Sequence, residues 1–329
     1  MSIISKRILV TGSGGFVGSH LVEALLLKGY TVKCMVHYNS RNDCGLLSYI
    51  SQKLIKDVEI ISGDLRDYHA VSQALKRIDI VFHLGALIAI PYSYKHPKDV
   101  IDTNIMGTFN VLNAAKEHSI NKVIHTSTSE VYGTAKYVPI NEEHPLQAQS
   151  PYSASKISAD KIADSFWCSY NLPVATIRPF NTYGPRQSAR AVIPTMIIQA
   201  LTQDTMHLGS LTPTRDYTYV SDTVEAFIQI AKNDQAIGKT YNIGSNMEIS
   251  IGDLAKKVCD VANPNCKVIQ EKKRMRPNNS EVERLWADNS KALKELEWKP
   301  RVSLEEGLCN TISWIKDNIH RYQTKEYVI

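Results

Sequence analysis

The sequence contains no apolar run of the ~20 residues needed to cross a bilayer; the closest, Val81 to Tyr92, is interrupted by His83. No membrane partner is expected. Ahead of Ile8 there is no apolar signal region and no small-residue cleavage site, which predicts a cytoplasmic protein. Charge of one sign is also scarce: 38 basic against 33 acidic residues leave a net +5, too little to argue for nucleic acid. The six cysteines (Cys34, Cys44, Cys168, Cys259, Cys266 and Cys309) form no C-x-x-C and accompany no histidine pattern, so they read as reduced thiols, and no metal site is expected. No internal repeat, low-complexity tract or Pro/Gly/Ser-rich linker divides the 329 residues. With 43% hydrophobic and 22% charged residues, the chain is globular and long enough for a sizeable core.

What is present is an alternation. Apolar runs at Arg7–Thr11, Thr31–Val36, Val58–Ile61, Ile80–Leu84, Lys122–His125 and Val174–Ile177 predict strands. Helical spacing at Phe16–Lys28, Tyr68–Lys76, Val100–His118 and Ser153–Tyr170 falls between them. Fully apolar strands alternating with helices predict an α/β fold, a doubly wound parallel sheet of Rossmann type. Past about Asn181 the rhythm loosens, with helices expected at Thr223–Ala231, Ile251–Ala262 and Leu304–Asn318. The expected division is a dinucleotide-binding domain over 1–180 and a smaller α+β substrate domain over 181–329, with some crossing of the chain between them.

The first strand–helix junction reads Gly12-Ser13-Gly14-Gly15-Phe16-Val17-Gly18. Gly12 permits a tight turn, Gly15 lets a pyrophosphate approach the backbone, and Gly18 lets the helix pack on the sheet. About 20 residues on, where a carboxylate often holds the adenine ribose, the chain has His37-Tyr38-Asn39-Ser40-Arg41 and no acid. Asn39 and Ser40 suit a ribose diol and Arg41 suits a 2′-phosphate, so the residues leave both NAD and NADP open. Asp64, after the third strand, is placed either to accept from an adenine amino group or to cap the next helix.

Tyr152 and Lys156 stand four apart at the start of a helical segment and share a face. A free phenol ionises near pH 10, too high for a base at neutral pH; a nearby ammonium and the nicotinamide charge favour the phenolate. Such a pair can deprotonate a sugar hydroxyl while its carbon gives up hydride. Thr126-Ser127-Thr128-Ser129-Glu130 is delivered beside it by the fifth strand. Thr128 can share the hydrogen bond to the reacting alcohol, and Glu130 is the acid/base for a carbon-bound proton next to a ketone.

Together, Gly12-x-x-Gly15-x-x-Gly18, Asp64, Thr128-Ser129-Glu130-Val131-Tyr132-Gly133, Tyr152-x-x-x-Lys156 and Arg178-Pro179-Phe180-Asn181-x-Tyr183-Gly184-Pro185 resemble the extended short-chain dehydrogenase/reductase family over nearly the whole chain. Ala89–Tyr94 and Pro185–Pro194 further resemble the 4,6-dehydratase-like enzymes of nonulosonic (legionaminic or pseudaminic) acid pathways. The resemblance implies a retained NAD held by Gly12, Gly15, Phe16, Val17, Asn39, Ser40, Asp64, Leu65, Leu84, Ala86 and Thr103 with Tyr152 and Lys156. It implies a nucleotide-sugar substrate, UDP-linked ahead of GDP-linked, contacted by Asn181, Arg190, Val192, Arg215 and Arg276. It also implies a homodimer through a four-helix bundle built from Val100–His118 and Ser153–Tyr170. Lys272-Lys273-Arg274 reads as a solvated loop.

One departure matters. Hexose 4,6-dehydratases usually carry Thr-Asp-Glu, the Asp protonating the departing C6 hydroxyl; here the triplet is Thr128-Ser129-Glu130. Serine holds its proton too tightly for that task. Nucleotide-glucuronate decarboxylases share Thr-Ser-Glu, and would add a cation such as Lys95 or Arg186 for the C6 carboxylate. The expected reaction is transient C4 oxidation of a nucleotide-linked N-acetylhexosamine with C5/C6 chemistry, either as a 4,6-dehydratase or from a 5,6-ene substrate. In the second case Tyr94, Lys95 or His96 would serve the opposite ring face. Decarboxylation and 4-epimerisation are the alternatives within this chemistry, and a dinucleotide-sensing module is the alternative outside it.

Overall fold

In a computed structural model, which describes residues 6–275 and 277–322, a seven-stranded sheet forms the centre of the protein. Its strands are β1 (Arg7–Thr11), β2 (Thr31–Val36), β3 (Glu59–Ser62), β4 (Ile80–His83), β5 (Lys122–Thr126), β6 (Val174–Pro179) and β7 (Thr240–Ile243). All pairs are parallel, in the order β7-β6-β5-β4-β1-β2-β3. The order reverses between β1 and β4, where Thr11 pairs with His83. That switch point leaves a crevice at the carboxyl edge of the sheet.

Helices cover both faces because the strands are apolar on both. One face buries Leu21, Val22 and Leu25 of the helix Phe16–Leu27 together with Val224, Phe227 and Ile228 of the helix Val220–Lys232. The other buries Val71, Ala74 and Leu75 with Val111, Leu112, Ala163 and Phe166. A separate core, including Ile193, Met196, Leu254, Val258, Leu308 and Ile312, holds the three helices Val192–Thr202, Ile251–Ala262 and Leu304–Asp317. The chain therefore crosses over: after residue 181 it returns to the sheet to place the helix Val220–Lys232 and β7.

The segment expected as one helix over Val100–His118 is broken. It runs Pro97–Ile101, widens into a π-turn at Asp102–Met106 and resumes at Gly107–Glu117. The buried Asn104 side chain accepts from Leu87 N at 2.8 Å and donates to Leu87 O and Ser155 Oγ, both at 2.9 Å, which ties the widened turn to the loop after β4. Such π-turns frequently mark functional positions; here the turn carries Thr103. Among the described residues no helix is long and apolar enough to cross a membrane, and no cluster of three potential metal ligands occurs.

Candidate active site

The glycine loop is shaped by two close approaches. Gly12 lies at φ +68°, and a Cβ there would stand 2.7 Å from Gly85 N. A Cβ at Gly18 would stand 2.2 Å from Gly12 O, so only glycine lets the helix press on the turn. The helix opens at Gly15 with no side-chain cap, leaving its first N–H groups turned to the crevice. Phe16 and Val17 form its half-buried first turn.

Beside this loop lies a cavity of about 240 Å³ lined by Gly12, Asp64, Leu65, Ala86 and Thr103, and also by His37, Gly63, Arg66, Gly85, Leu87 and Asp99. Asp64 does not cap a helix; Asp67 does, accepting from His69 N and Ala70 N. Asp64 instead accepts from Arg66 N at 2.9 Å and from the Arg66 guanidinium, whose hydrogen bonds hold its carboxyl below the usual range. Arg66 reaches on to Asp99 at 2.9 Å. Spacing alone did not point to His37, Arg66 or Asp99, because Arg66 and Asp99 meet across 33 residues.

Asn39 and Ser40, expected at the ribose, lie on the loop after β2. The Asn39 side chain accepts from Arg41 N and Asp43 N and donates to Asp43 O, so it organises its own loop, and Ser40 is exposed. Leu84 packs against the core at the end of β4. The glycine turn, the uncapped helix start and a carboxylate-bearing cavity in line with them fit a dinucleotide.

The catalytic helix Pro151–Tyr170 is started by Ser150, whose side chain accepts from Ser153 N at 3.0 Å in a reciprocal cap, with Pro151 at the first helical position. This fixes Tyr152 in the first turn. Tyr152 is 6% exposed and Lys156 is 4% exposed. Lys156 Nζ donates to Thr126 O at 2.6 Å. Burial pushes the Lys156 ammonium down to about 8, with Asp160 opposing. Burial also pushes the Tyr152 phenol up; a hydrogen bond from Thr128 opposes this, while Glu130 and Asp160 add to it. The phenol therefore keeps its proton in the protein alone, and the expected lowering depends on the positive charge a bound cofactor brings. Thr128 caps the turn Ser129–Tyr132, accepting from Glu130 N at 3.2 Å. Glu130 is half-buried beside Tyr152, and Ser129 is 2% exposed. Thr128, Ser129, Glu130, Tyr152 and Lys156 are thus brought to one place.

The second half supplies the opposite wall. Asn181 N donates to Asp216 O at 3.1 Å, which sets Asn181 at the edge of the crevice. Arg215 is buried, with Nη2 donating to Glu281 at 3.3 Å. Arg190 is exposed and turned to Ser188; Val192 begins the helix Val192–Thr202. Arg276 lies outside the described residues. Tyr94 hydrogen bonds Ser280 Oγ at 2.5 Å, while Lys95 and His96 are exposed.

The family described as "GDP-mannose 4,6 dehydratase" matches residues 9–311. The chain is 32% identical to the dTDP-D-glucose 4,6-dehydratase of Mus musculus, over 98% of this chain and 92% of that protein. It superposes with a TM-score of 0.85 at 27% identity on the dTDP-glucose 4,6-dehydratase DesIV of Streptomyces venezuelae, solved with NAD bound, covering 96% of this chain and 99% of that one. It superposes with a TM-score of 0.82 at 26% identity on TunA, an NAD-dependent NDP-hexosamine 5,6-dehydratase of tunicamycin biosynthesis, covering 95% and 98%. On these matches and on the glycine loop, triplet and dyad above, the chain belongs to the extended short-chain dehydrogenase/reductase family of nucleotide-sugar dehydratases and epimerases.

Proposed function

We propose that the protein is a redox-neutral, NAD-dependent enzyme that oxidises C4 of a nucleotide-linked N-acetylhexosamine transiently and completes C5/C6 chemistry to a 4-keto-6-deoxy sugar. The nucleotide is UDP ahead of GDP, and the product is of the kind nonulosonic acids are made from. The carrying observation is Glu130, a half-buried carboxylate beside the Tyr152–Lys156 dyad. A 4-epimerase leaves C5 alone and has no use for it. A sensing module has no use for the dyad.

The glycine loop and the Asp64 cavity would hold NAD, which would supply the hydride acceptor and donor of a redox-neutral cycle. Tyr152 takes the C4 hydroxyl proton, with Thr128 sharing that hydrogen bond. Lys156, fixed by Thr126 O, holds a positive charge beneath the phenolate. Glu130 moves the C5 proton, which the neighbouring ketone acidifies. Arg215 exchanges its Glu281 partner for the sugar's diphosphate, to which a guanidinium fork is suited.

A second route has its own observation. Ser129, buried, stands at the place in the triplet where hexose 4,6-dehydratases usually carry the acid for a departing C6 hydroxyl. With no acid there, the substrate is a 5,6-ene already dehydrated elsewhere, and the enzyme reduces C6 and sets C5. TunA, named as a hexosamine 5,6-dehydratase, supports the existence of such intermediates within the family. Of the candidate donors for the opposite ring face, Tyr94 reaches Ser280, and Ser280 bonds the carbonyl of Gln149 near the dyad.

Purified protein incubated with UDP- and GDP-N-acetylglucosamine tests the proposal by mass and NMR of the product. Loss of water supports it and isomerisation without mass change means an epimerase, while loss of carbon dioxide from the matching UDP- and GDP-linked uronic acids, run alongside, means a decarboxylase. The helices Pro97–Ile101 and Gly107–Glu117, the turn between them and the helix Pro151–Tyr170 leave Ile101, Met106, Phe109 and Tyr170 exposed. This supports a homodimer through a four-helix bundle, readable by light scattering.

A further inference from the structure

Tyr152, Lys156 and Asp160 follow one another at four-residue spacing along the catalytic helix and share one face. The reaction above uses the first two and leaves Asp160 without a task, although it is 1% exposed and nothing in a fold calls for a lone carboxylate there. Its oxygens accept from His125 Nε2 at 2.9 Å, Ser127 Oγ at 2.8 Å, and Arg178 Nε and Nη2 at 3.2 and 3.0 Å. Arg178 is itself fixed, its Nη1 donating to the Tyr132 hydroxyl at 2.9 Å, which donates to Asn242 at 2.7 Å.

The charges in this enclosure can be counted. His125 Nδ1 has no hydrogen-bond partner, and burial disfavours the charged ring, so His125 is neutral and its Nε2–H is the donor to Asp160. Burial also keeps His83, which faces the cluster from β4, neutral. Burial alone would raise the Asp160 carboxyl, but the hydrogen bonds from His125 and Ser127 and the charge of Arg178 overcome it and hold the group below the usual carboxylate range. Two cations, Lys156 and Arg178, thus share one buried anion. Among the described residues, Glu130 on the turn after β5, Asp164 one helical turn beyond and Glu142 acting on Tyr132 are further charged groups that bear on the cluster.

We propose that Asp160 is a positioning residue: its carboxylate, locked by His125, Ser127 and Arg178, is the buried counter-charge of the Tyr152–Lys156 dyad and sets the pH window in which the dyad works. This rests on Tyr152 being the reacting base. An anion in a dry interior strengthens the hold of every neighbour on its proton. Removing it therefore lets both Lys156 and Tyr152 lose their protons at lower pH, and the whole window moves toward acid. Removing Arg178 moves it the other way.

The test uses NAD-loaded enzyme and two readouts. The first is the near-ultraviolet phenolate absorbance of Tyr152, taken as the difference from Tyr152→Phe; it needs no substrate. The second is the pH profile of kcat/KM on whichever nucleotide sugar is turned over. Asp160→Asn, nearly isosteric, is expected to shift the phenolate titration and both limbs of the profile acid-ward by about 1 pH unit. Arg178→Met is expected to shift them alkaline, and Asp160→Glu to restore the wild-type window. Limbs and titration that stay in place in folded Asp160→Asn or Arg178→Met overturn the proposal. So does failure of both variants to fold, since the cluster would then serve only the fold. A Tyr152 titration that responds while no nucleotide sugar is turned over would overturn the proposed function and leave this assignment standing.

Discussion

The two walls of the crevice hold their polar groups in different ways. On the catalytic wall, Lys156, Asp160, Arg178 and Ser127 are buried and each hydrogen bonds another part of the same wall, so the geometry exists before any ligand arrives. On the substrate wall, Arg215 is paired with a carboxylate on a neighbouring loop, and Arg190 is turned to Ser188 and exposed. The difference separates chemistry from recognition. In the proposed reaction, charges acting on a developing phenolate would be preorganised, whereas Arg215 and Arg190 would give up Glu281 and Ser188 to a diphosphate.

The sharpest way to break this comparison is at Tyr152. Tyr152→Phe keeps the ring and removes only the proton acceptor, so turnover is expected to fall by about 10³-fold, the scale of general-base catalysis. NAD retention, read from the absorbance of the purified protein, should be nearly unchanged. Activity within a few-fold of wild type would take the base away from the catalytic wall altogether.

Arg215→Met probes the other wall. It removes a fork that makes charge-assisted bonds, each worth about 1.5–3 kcal/mol, so KM for the nucleotide sugar is expected to rise about 10- to 100-fold while kcat holds. A fall in kcat with KM unchanged would mean that Arg215 acts on the reacting sugar and that the walls are not divided as described.

A smaller effect is expected from pH. Burial sets the Lys156 ammonium at about 8. Below that pH the group is charged and supports the phenolate; as pH rises through about 8 it loses the proton, and kcat should decline along one alkaline limb. A profile flat to well above that pH would show that Lys156 stays charged and that a stronger anion field than Asp160 surrounds it.

The same division explains what the sequence made legible. The glycine turn, the Tyr152–Lys156 pair and Thr128-Ser129-Glu130 are local, with spacings of three, four and one residue, and each lies on the turn or helix that its spacing implied. Six of the seven sheet strands followed from their period, as did the long helices of the first half, whereas β7 and the helix Val192–Thr202 were not read from it. The π-turn at Asp102–Met106 did not follow either; its Asn104 is tied across 17 residues to Leu87, a contact no local pattern carries. The Asp160 cluster was missed for a similar reason: its donors come from β5, the residue after β5 and β6, and only its place four residues beyond Lys156 hinted at it. Asn39 suited a ribose by composition, yet its side chain closes its own loop. A short polar side chain followed by Ser and Asn in a turn tends toward that use.

The finest division lies within the catalytic wall, between Glu130 and Ser129. Glu130 is half-buried and can exchange protons; Ser129 is nearly enclosed, where a carboxyl would be lifted by burial and by the neighbouring Glu130, and so would hold a proton to give away at neutral pH. Ser129→Asp should therefore create the missing acid. On intact UDP-N-acetylglucosamine the variant is expected to form more 4-keto-6-deoxy product than wild type. On the 5,6-ene its rate should stay level, because that half of the reaction needs no C6 acid. The gain will be modest, since the added atoms crowd a packed turn at a cost of about 1–3 kcal/mol in stability, which a thermal melt reads separately. Wild-type enzyme that already converts the intact sugar efficiently, and a Ser129→Asp variant that only slows it, would sink the 5,6-ene route. The C6 proton would then come from a group other than residue 129, and Ser129 would mark a donor moved elsewhere.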